Sequence, residues 1–240
     1  MTRRRWIADE VSGNIAALTG SHAAHLSRVL RARVGQEFDI ATGGEVRRGR
    51  VIRVEAGRVE LELGDLVPAV AAPEIVLALA IFKFDRMEWA IEKCTELGVA
   101  QIVPVIAQRT ETHLATAAAK RVERWRRIAR QAAEQSRRSS PPEISAPMKL
   151  KDAVSLAAEV RILLSESEQA RRLKDALASQ PTARVALAVG PEGGWTAHEI
   201  KLFHEAGWVS ASLGGNILRA ETAAIAATAV ILSQSSQLLD

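Results

Sequence analysis

The sequence predicts an α/β protein in which a small β-rich segment precedes a mostly parallel sheet with helices on both faces. Three observations carry that prediction. The first third alternates apolar and polar residues at short spacing between glycines. The remainder repeats the succession of an unbroken apolar run and an amphipathic segment. The two parts are separated by Pro68–Pro73, PAVAAP, which has the composition of a linker. Domains are therefore expected over residues 1–70 and 74–240.

In the first part, Val59, Leu61 and Leu63 alternate with Glu60 and Glu62, the period of a half-buried strand. Gly43-Gly44, Gly49 and Gly57 interrupt the neighbouring apolar runs, so several short strands fit, and a small barrel would close them. A short helix is expected over His22–Arg31, with Leu26, Val29 and Leu30 on its apolar side.

The second part opens with Ile75–Phe82, continuously apolar as a strand buried on both faces must be. A helix follows, with Asp85 as the expected N-cap and Gly98 as its terminating glycine; Met87, Ile91, Cys94 and Leu97 line its inner side. Gln101–Ile106 reads as a strand. Ala118–Arg138 reads as a long helix with Val122, Trp125, Ile128, Ala129 and Ala132 buried. Val160–Leu164, Arg184–Val189 and Trp208–Leu213 are further strands, each followed by a helical segment.

Composition narrows the function. Of the 32 basic residues, 25 are arginine, the better fork for phosphate, and the net charge is +4. That favours a nucleic-acid partner, although a general bias towards arginine would give the same numbers. A lone cysteine suits a reducing compartment, no apolar run approaches membrane-spanning length, and MTRRRWIADEVSG lacks the apolar core of a secretory signal. A cytosolic protein is expected. The five histidines form no metal-ligand grouping, so no metal is expected, and Cys94 belongs to the core.

In a sheet of this kind, ligands bind beyond the carboxyl ends of the strands. After VALAV comes Gly190-Pro-Glu-Gly-Gly-Trp-Thr196, and Thr196-Ala-His-Glu199 has the spacing of a capping box. After WVSASL comes Gly214-Gly-Asn-Ile-Leu-Arg219, leading into the helix AETAAIAATAVIL. One glycine turn is ordinarily just a turn. Two at neighbouring strand ends, each holding a charged residue, make a pocket lined by main-chain groups. Neither matches a P-loop or a dinucleotide fingerprint.

GPEGGWTAHE followed by LGGNILRAETAA closely resembles the paired signature of the SPOUT-class 16S ribosomal RNA uracil-N3 methyltransferases. The resemblance continues in His25-Leu-Ser-Arg-Val-Leu-Arg31, in Lys83 and Asp85-Arg86-Met87-Glu88, in Lys93-Cys-Thr-Glu-Leu-Gly-Val99, and in Glu134-Gln-Ser136 with Arg138, Pro142, Glu143 and Ile144. It implies an N-terminal PUA-like β-barrel that helps bind RNA. It implies a C-terminal SPOUT domain whose last segment is threaded into a trefoil knot, and a homodimer with the cofactor pocket near its interface. The cofactor would be S-adenosyl-L-methionine and the partner 16S rRNA, free or within the small subunit.

On that reading Leu164, Ser165, Gly190, Gly193, Leu213, Gly214, Ile217 and Leu218 hold the cofactor. Arg219 binds a phosphate or stabilises the deprotonated ring, and Glu192 or Glu221 accepts the N3 proton. Glu221 could equally complement its helix dipole, Glu192 could be a turn residue bonded to nearby amides, and Arg219 could be ion-paired with either. RNA would meet Arg3, Arg5, His25, Arg28, Arg31, Lys83, Arg86 and Arg138, and a flipped base would enter the site. The sequence departs from the family pattern at Asn216, Ala220, Phe84 and Arg137. Methylation of a transfer-RNA ribose 2′-OH, or a non-catalytic RNA-binding assembly factor, are the alternatives.

Overall fold

A computed structural model of the chain describes residues 5–43, 45–67, 73–136, 138, 140–177 and 184–236. Arg3, Arg4, Gly44, Arg137 and all of the expected linker except Pro73 lie outside the described residues, as does the side chain of Arg5. The chain divides into two compact units, residues 1–70 with 133–140, and residues 71–132 with 141–240.

The first unit contains strands β1 (Arg5–Ile7), β2 (Glu10–Ser12) and β3 (Ile15–Thr19), helix α1 (Gly20–Ala24), and strands β4 (Glu37–Ala41), β5 (Val46–Glu55) and β6 (Arg58–Leu66). They form a six-stranded sheet in the order β1-β4-β5-β6-β3-β2, antiparallel except for the β1–β4 pair. Val59, Leu61 and Leu63 are buried while Glu62 faces solvent, as the alternation requires. Gly49 is needed for packing: a Cβ there would lie 2.4 Å from the Ile40 side chain.

The expected His22–Arg31 helix is corrected. A single α-helical turn passes into a π-helical one over His25–Val29, with the Leu30 amide reaching back to the His25 carbonyl at 3.1 Å. The wider turn rotates the following residues, so Leu26 is buried but Val29 is 65% exposed. Arg31, just beyond, has φ of +50°, a conformation uncommon outside glycine.

The second unit runs β7 (Glu74–Ala80), α2 (Phe84–Leu97), β8 (Gln101–Ile106), α3 (Thr112–Gln135), β9 (Glu143–Ile144), β10 (Met148–Lys149), α4 (Leu150–Ala153), β11 (Val160–Leu164), α5 (Leu173–Leu177), β12 (Arg184–Val189), α6 (Ala197–Glu205), β13 (Val209–Ala211) and α7 (Ala220–Ser236). The last residues of α3, from Ala133, group with the first unit. The strands form a sheet of order β10-β8-β7-β12-β11-β13, with β9 beside β8, and every pairing is parallel. Parallel pairing needs long crossovers, and these helices supply them.

Each face of the sheet has its own core. Ile75, Leu77 and Leu79 point to one side and pack with α2, α3 and α7; Val76, Ala78 and Ala80 point to the other, towards Trp195, Phe203 and Trp208. The last three rings stack edge to face, 5.0 Å apart in each successive pair. Trp208, expected in a strand, instead precedes β13 and donates its indole N–H to the Val154 carbonyl at 2.8 Å.

Two helix boundaries also differ from expectation. Lys83, not Asp85, occupies the N-cap of α2, without a side-chain capping bond; Asp85 lies in the first turn. Gly98 ends that helix at φ of +112°. Helix α3 begins at Thr112, six residues early, because Thr112–Ala117 carries almost no apolar periodicity to mark it. Of its expected stripe, Val122, Trp125, Ala129 and Ala132 are buried, while Ile128 is only partly so and packs against the core. Several of its arginines are engaged within the unit. Arg124 forks onto Glu88 at 2.7 and 2.8 Å, Arg126 donates twice to the Ile144 carbonyl, and Arg121 lies over the Phe84 ring.

Candidate active site

The carboxyl ends of β7, β11, β12 and β13 open onto two cavities. The first, of about 170 Å³, lies among the loops that follow β11, β12 and β13. Its walls come from three loops: Gly190, Pro191, Glu192, Gly194 and Trp195 from one, Ser212, Leu213, Gly214, Asn216, Ile217 and Leu218 from another, and Leu164 to Ser167 from a third.

Local hydrogen bonds fix these loops. The Gly194 amide closes a turn onto the Pro191 carbonyl at 2.8 Å, with Gly194 at φ of +67°. The capping box is formed: Thr196 Oγ1 accepts the Glu199 amide, and Glu199 Oε2 accepts the Thr196 amide at 2.8 Å. Ser165 N–H bonds the Ala211 carbonyl at 3.1 Å, and Ser212 exchanges backbone bonds with the Arg171–Leu173 segment. Glu168 accepts the amides of Ala170 and Arg171; the Arg171 bond first, then that of Ala170, holds its carboxyl below the usual range.

Glycine is required at two places on this wall. A Cβ on Gly190 would meet the Trp195 indole at 3.2 Å, and Gly214 has φ of +143° with Arg172 Nη1 3.0 Å from where a Cβ would stand. The cavity also contains a polar signal. Trp195 is buried, and its indole N–H has no hydrogen-bond partner among the described residues. A buried donor of this kind costs about 1–3 kcal/mol unless something accepts from it.

The second cavity, of about 360 Å³, is lined by Ile81, Phe82, Lys83, Arg86, Arg109, Glu111, Leu114, Glu192 and Gly193. Glu192, exposed at the tip of the glycine turn, is on the wall of both cavities.

The residues expected to hold a cofactor fall together, with one exception. Leu164, Ser165, Gly190, Leu213, Gly214, Ile217 and Leu218 line the first cavity; Gly193 faces the second, and its neighbour Gly194 takes its place. The three expected catalytic residues separate. Glu192 stands between the cavities. Glu221 is buried in the first turn of α7, lines neither cavity, and lies 3.9 Å from Arg86. Arg219 is exposed, and its guanidinium makes no ion pair with Glu221 or Glu192. Its expected partner Glu221 faces Arg86 instead.

Lys83 and Arg86 line the second cavity. His25 and Arg28 sit on the π-helical turn of the first unit, followed by Arg31, all exposed, and the His25 ring lies 5.5 Å from that of Trp6. Arg138 is partly buried, which lowers its pKa from the ordinary value. Glu166, Ser167, Trp195 and Arg109 were not singled out from sequence. Only the position of Glu166 and Ser167, just after a strand, could have marked them. Burial and desolvation push the Cys94 thiol up to about 12, so it stays protonated in the core. Among the described residues no group of histidine, cysteine, aspartate or glutamate could hold a metal, and no helix is long and apolar enough to cross a membrane.

A family model for the RNA methyltransferase domain matches residues 70–232, which sets the class of protein that this sheet and its paired glycine turns define. A ribosomal RNA small subunit methyltransferase E from Synechocystis is 35% identical, over 89% of this chain and 71% of its own. The Mycobacterium tuberculosis protein of that name is 33% identical over 92% of this chain and 87% of its own. Among solved structures, the Neisseria gonorrhoeae methyltransferase E bound to S-adenosyl methionine has 30% identity and a TM-score of 0.72, covering 97% of this chain and 98% of that one. A Legionella pneumophila methyltransferase with bound cofactor covers the same shares at 29% identity and a TM-score of 0.69. The chain belongs to the ribosomal RNA small subunit methyltransferase E family.

Proposed function

We propose that the protein is an S-adenosylmethionine-dependent methyltransferase that methylates N3 of a uridine in 16S ribosomal RNA. The observation that carries the reading is the position of Glu192, a carboxylate shared by a backbone-lined cavity and a basic one. The first cavity is assigned to the cofactor by the chemistry of its lining, not by its volume of about 170 Å³. Gly190 and Gly214 keep its walls close. Leu164, Leu213, Ile217 and Leu218 supply apolar surface for an adenosyl group, while Ser165 and the loop amides supply polar contacts.

When bound, S-adenosylmethionine supplies an electrophilic methyl group. Glu192 accepts the N3 proton as the ring nitrogen attacks, because it is the carboxylate within reach of both cavities. Glu221, enclosed and facing Arg86, holds that guanidinium in place. Exposed Arg219 meets a phosphate of the RNA. Lys83 and Arg86 of this unit, and His25, Arg28 and Arg31 of the first, contact RNA, with Arg3, Arg5 and Arg138 as further candidates.

The reading extends to topology and assembly. The six-stranded first unit is an RNA-binding PUA-like barrel. The second is a SPOUT domain with a C-terminal trefoil knot, supported by the insertion of β12 between β7 and β11 and by the return of α7 onto α2. The enzyme works as a homodimer in the cytoplasm on 16S rRNA, within the assembled small subunit.

The test is methyl transfer to unmethylated small subunits followed by mass spectrometry of the nucleosides. N3-methyluridine is the expected product. A ribose-methylated nucleoside would replace the substrate assignment, and cofactor binding without transfer would favour an assembly factor.

A further inference from the structure

The second cavity is set apart by its charged rim. Lys83, Arg86 and Arg109 bring three cations to it beside the carboxylates of Glu111 and Glu192, over Ile81, Phe82 and Leu114, which are almost wholly buried. At about 360 Å³ it is within the ordinary range of small-ligand sites, roughly 300–1,000 Å³. A phosphate of a nucleic acid has the charge to match three converging cations.

Arg109 is held more tightly than an ordinary surface arginine. It donates from Nη1 to the Gly193 carbonyl, on the glycine turn that carries Glu192. Its neighbours are anchored on both sides. Gln108 N–H bonds Glu199 Oε1 at 2.7 Å, and Gln108 Oε1 accepts the Thr196 hydroxyl at 3.0 Å. Thr110 Oγ1 donates to the Ile81 carbonyl at 3.0 Å and accepts the Ala107 amide at 3.2 Å. Glu199, which bridges Gln108 and Thr196, is only 3% exposed. The segment after β8 is thereby fastened both to the end of β7 and to the glycine turn. A guanidinium has five N–H donors, and one bond to Gly193 leaves the others for a ligand.

We propose that this cavity receives the phosphate of the target nucleotide, on Arg109 together with Lys83 and Arg86. Arg109 has a double part: it binds the phosphate, and through Gly193 it sets the position of Glu192. The inference rests on the methyltransferase reading given above.

The experiment compares the wild type with Arg109→Ala, Arg109→Lys and Lys83→Gln. Binding of unmethylated 16S RNA in small subunits is measured by filter retention across a salt series, and S-adenosylmethionine binding by calorimetry. Arg109→Ala should weaken RNA binding about tenfold. It should also reduce the slope of log affinity against log salt by about 0.7–0.9, the loss of one phosphate contact. Arg109→Lys should restore the slope, and Lys83→Gln, which breaks no contact with the glycine turn, should lower it alone. Cofactor affinity should stay within about twofold of wild type.

An unchanged salt slope in both Arg109→Ala and Lys83→Gln overturns the proposal, as does a loss of cofactor affinity matching the loss for RNA. If the wild type itself transfers no methyl to RNA, the underlying functional reading fails instead.

Discussion

The two cavities are built by opposite means, although they share a wall at Glu192. The first is lined by residues of three strand-end loops, with Gly190 closely packed on Trp195, Gly214 at positive φ, and apolar side chains such as Leu213, Ile217 and Leu218. The second is made of long side chains from separated segments, Lys83 and Arg86 after β7, Arg109 after β8, and Glu192 after β12. Rigid backbone suits a ligand that is always the same. A rim of cations suits a large polyanion whose phosphates must be gathered. On the proposed reading the cofactor takes the first cavity and the nucleotide the second, with chemistry at the shared carboxylate.

The sharpest way to break this division is at its boundary. Glu192→Gln should lower turnover by about 10²–10⁴ while leaving both binding affinities unchanged. Steady-state kinetics beside calorimetry would check this, and a wild-type rate would remove Glu192 from proton transfer. The next largest effect belongs to the first cavity alone. Gly190→Val drives new atoms into the Trp195 indole, an overpacking cost of about 1–3 kcal/mol. Cofactor affinity should fall by roughly tenfold to a hundredfold, with RNA affinity intact.

A smaller change sharpens the second cavity. Glu221→Gln deprives Arg86 of its facing charge. Glu221 is buried but Arg86 is 31% exposed, so the loss should lie between those of a surface and an enclosed pair, about 1–2 kcal/mol. Melting should occur a few degrees lower, with RNA affinity reduced and cofactor affinity unchanged. The smallest effect is at Glu168, whose carboxylate accepts the amides of Arg171 and Ala170 in the loop between β11 and α5. Its folded pKa is depressed, so the ordering it provides is present above the normal carboxylate pKa and disappears as pH falls through the folded value. Glu168→Gln should therefore lower the melting temperature slightly at neutral pH, and the difference from wild type should shrink as pH falls through the folded value.

The same contrast explains what the sequence made legible. The parallel sheet was visible because buried strands such as Ile75–Phe82 have no polar alternation, and Gly98 announced the end of α2. Glycine turns announce themselves in one dimension, so seven of the eight residues expected around the cofactor line the first cavity. Glu221 looked like a candidate base because its burial and its Arg86 partner are properties of packing, not of spacing. Arg109 was overlooked for the same reason: in QRTET it is one arginine among 25, and only the fold brings it to Gly193. The short strands β9 and β10 and the π-helical turn carry no periodicity long enough to recognise.

The most direct test of the two-cavity account is a crossed binding experiment on Gly190→Val and Arg109→Ala, with S-adenosylmethionine affinity by calorimetry and small-subunit RNA affinity by filter retention for each. The account predicts that Gly190→Val loses the cofactor and keeps the RNA, while Arg109→Ala loses the RNA and keeps the cofactor. Parallel losses of both ligands in both variants would contradict it and make the two cavities one site.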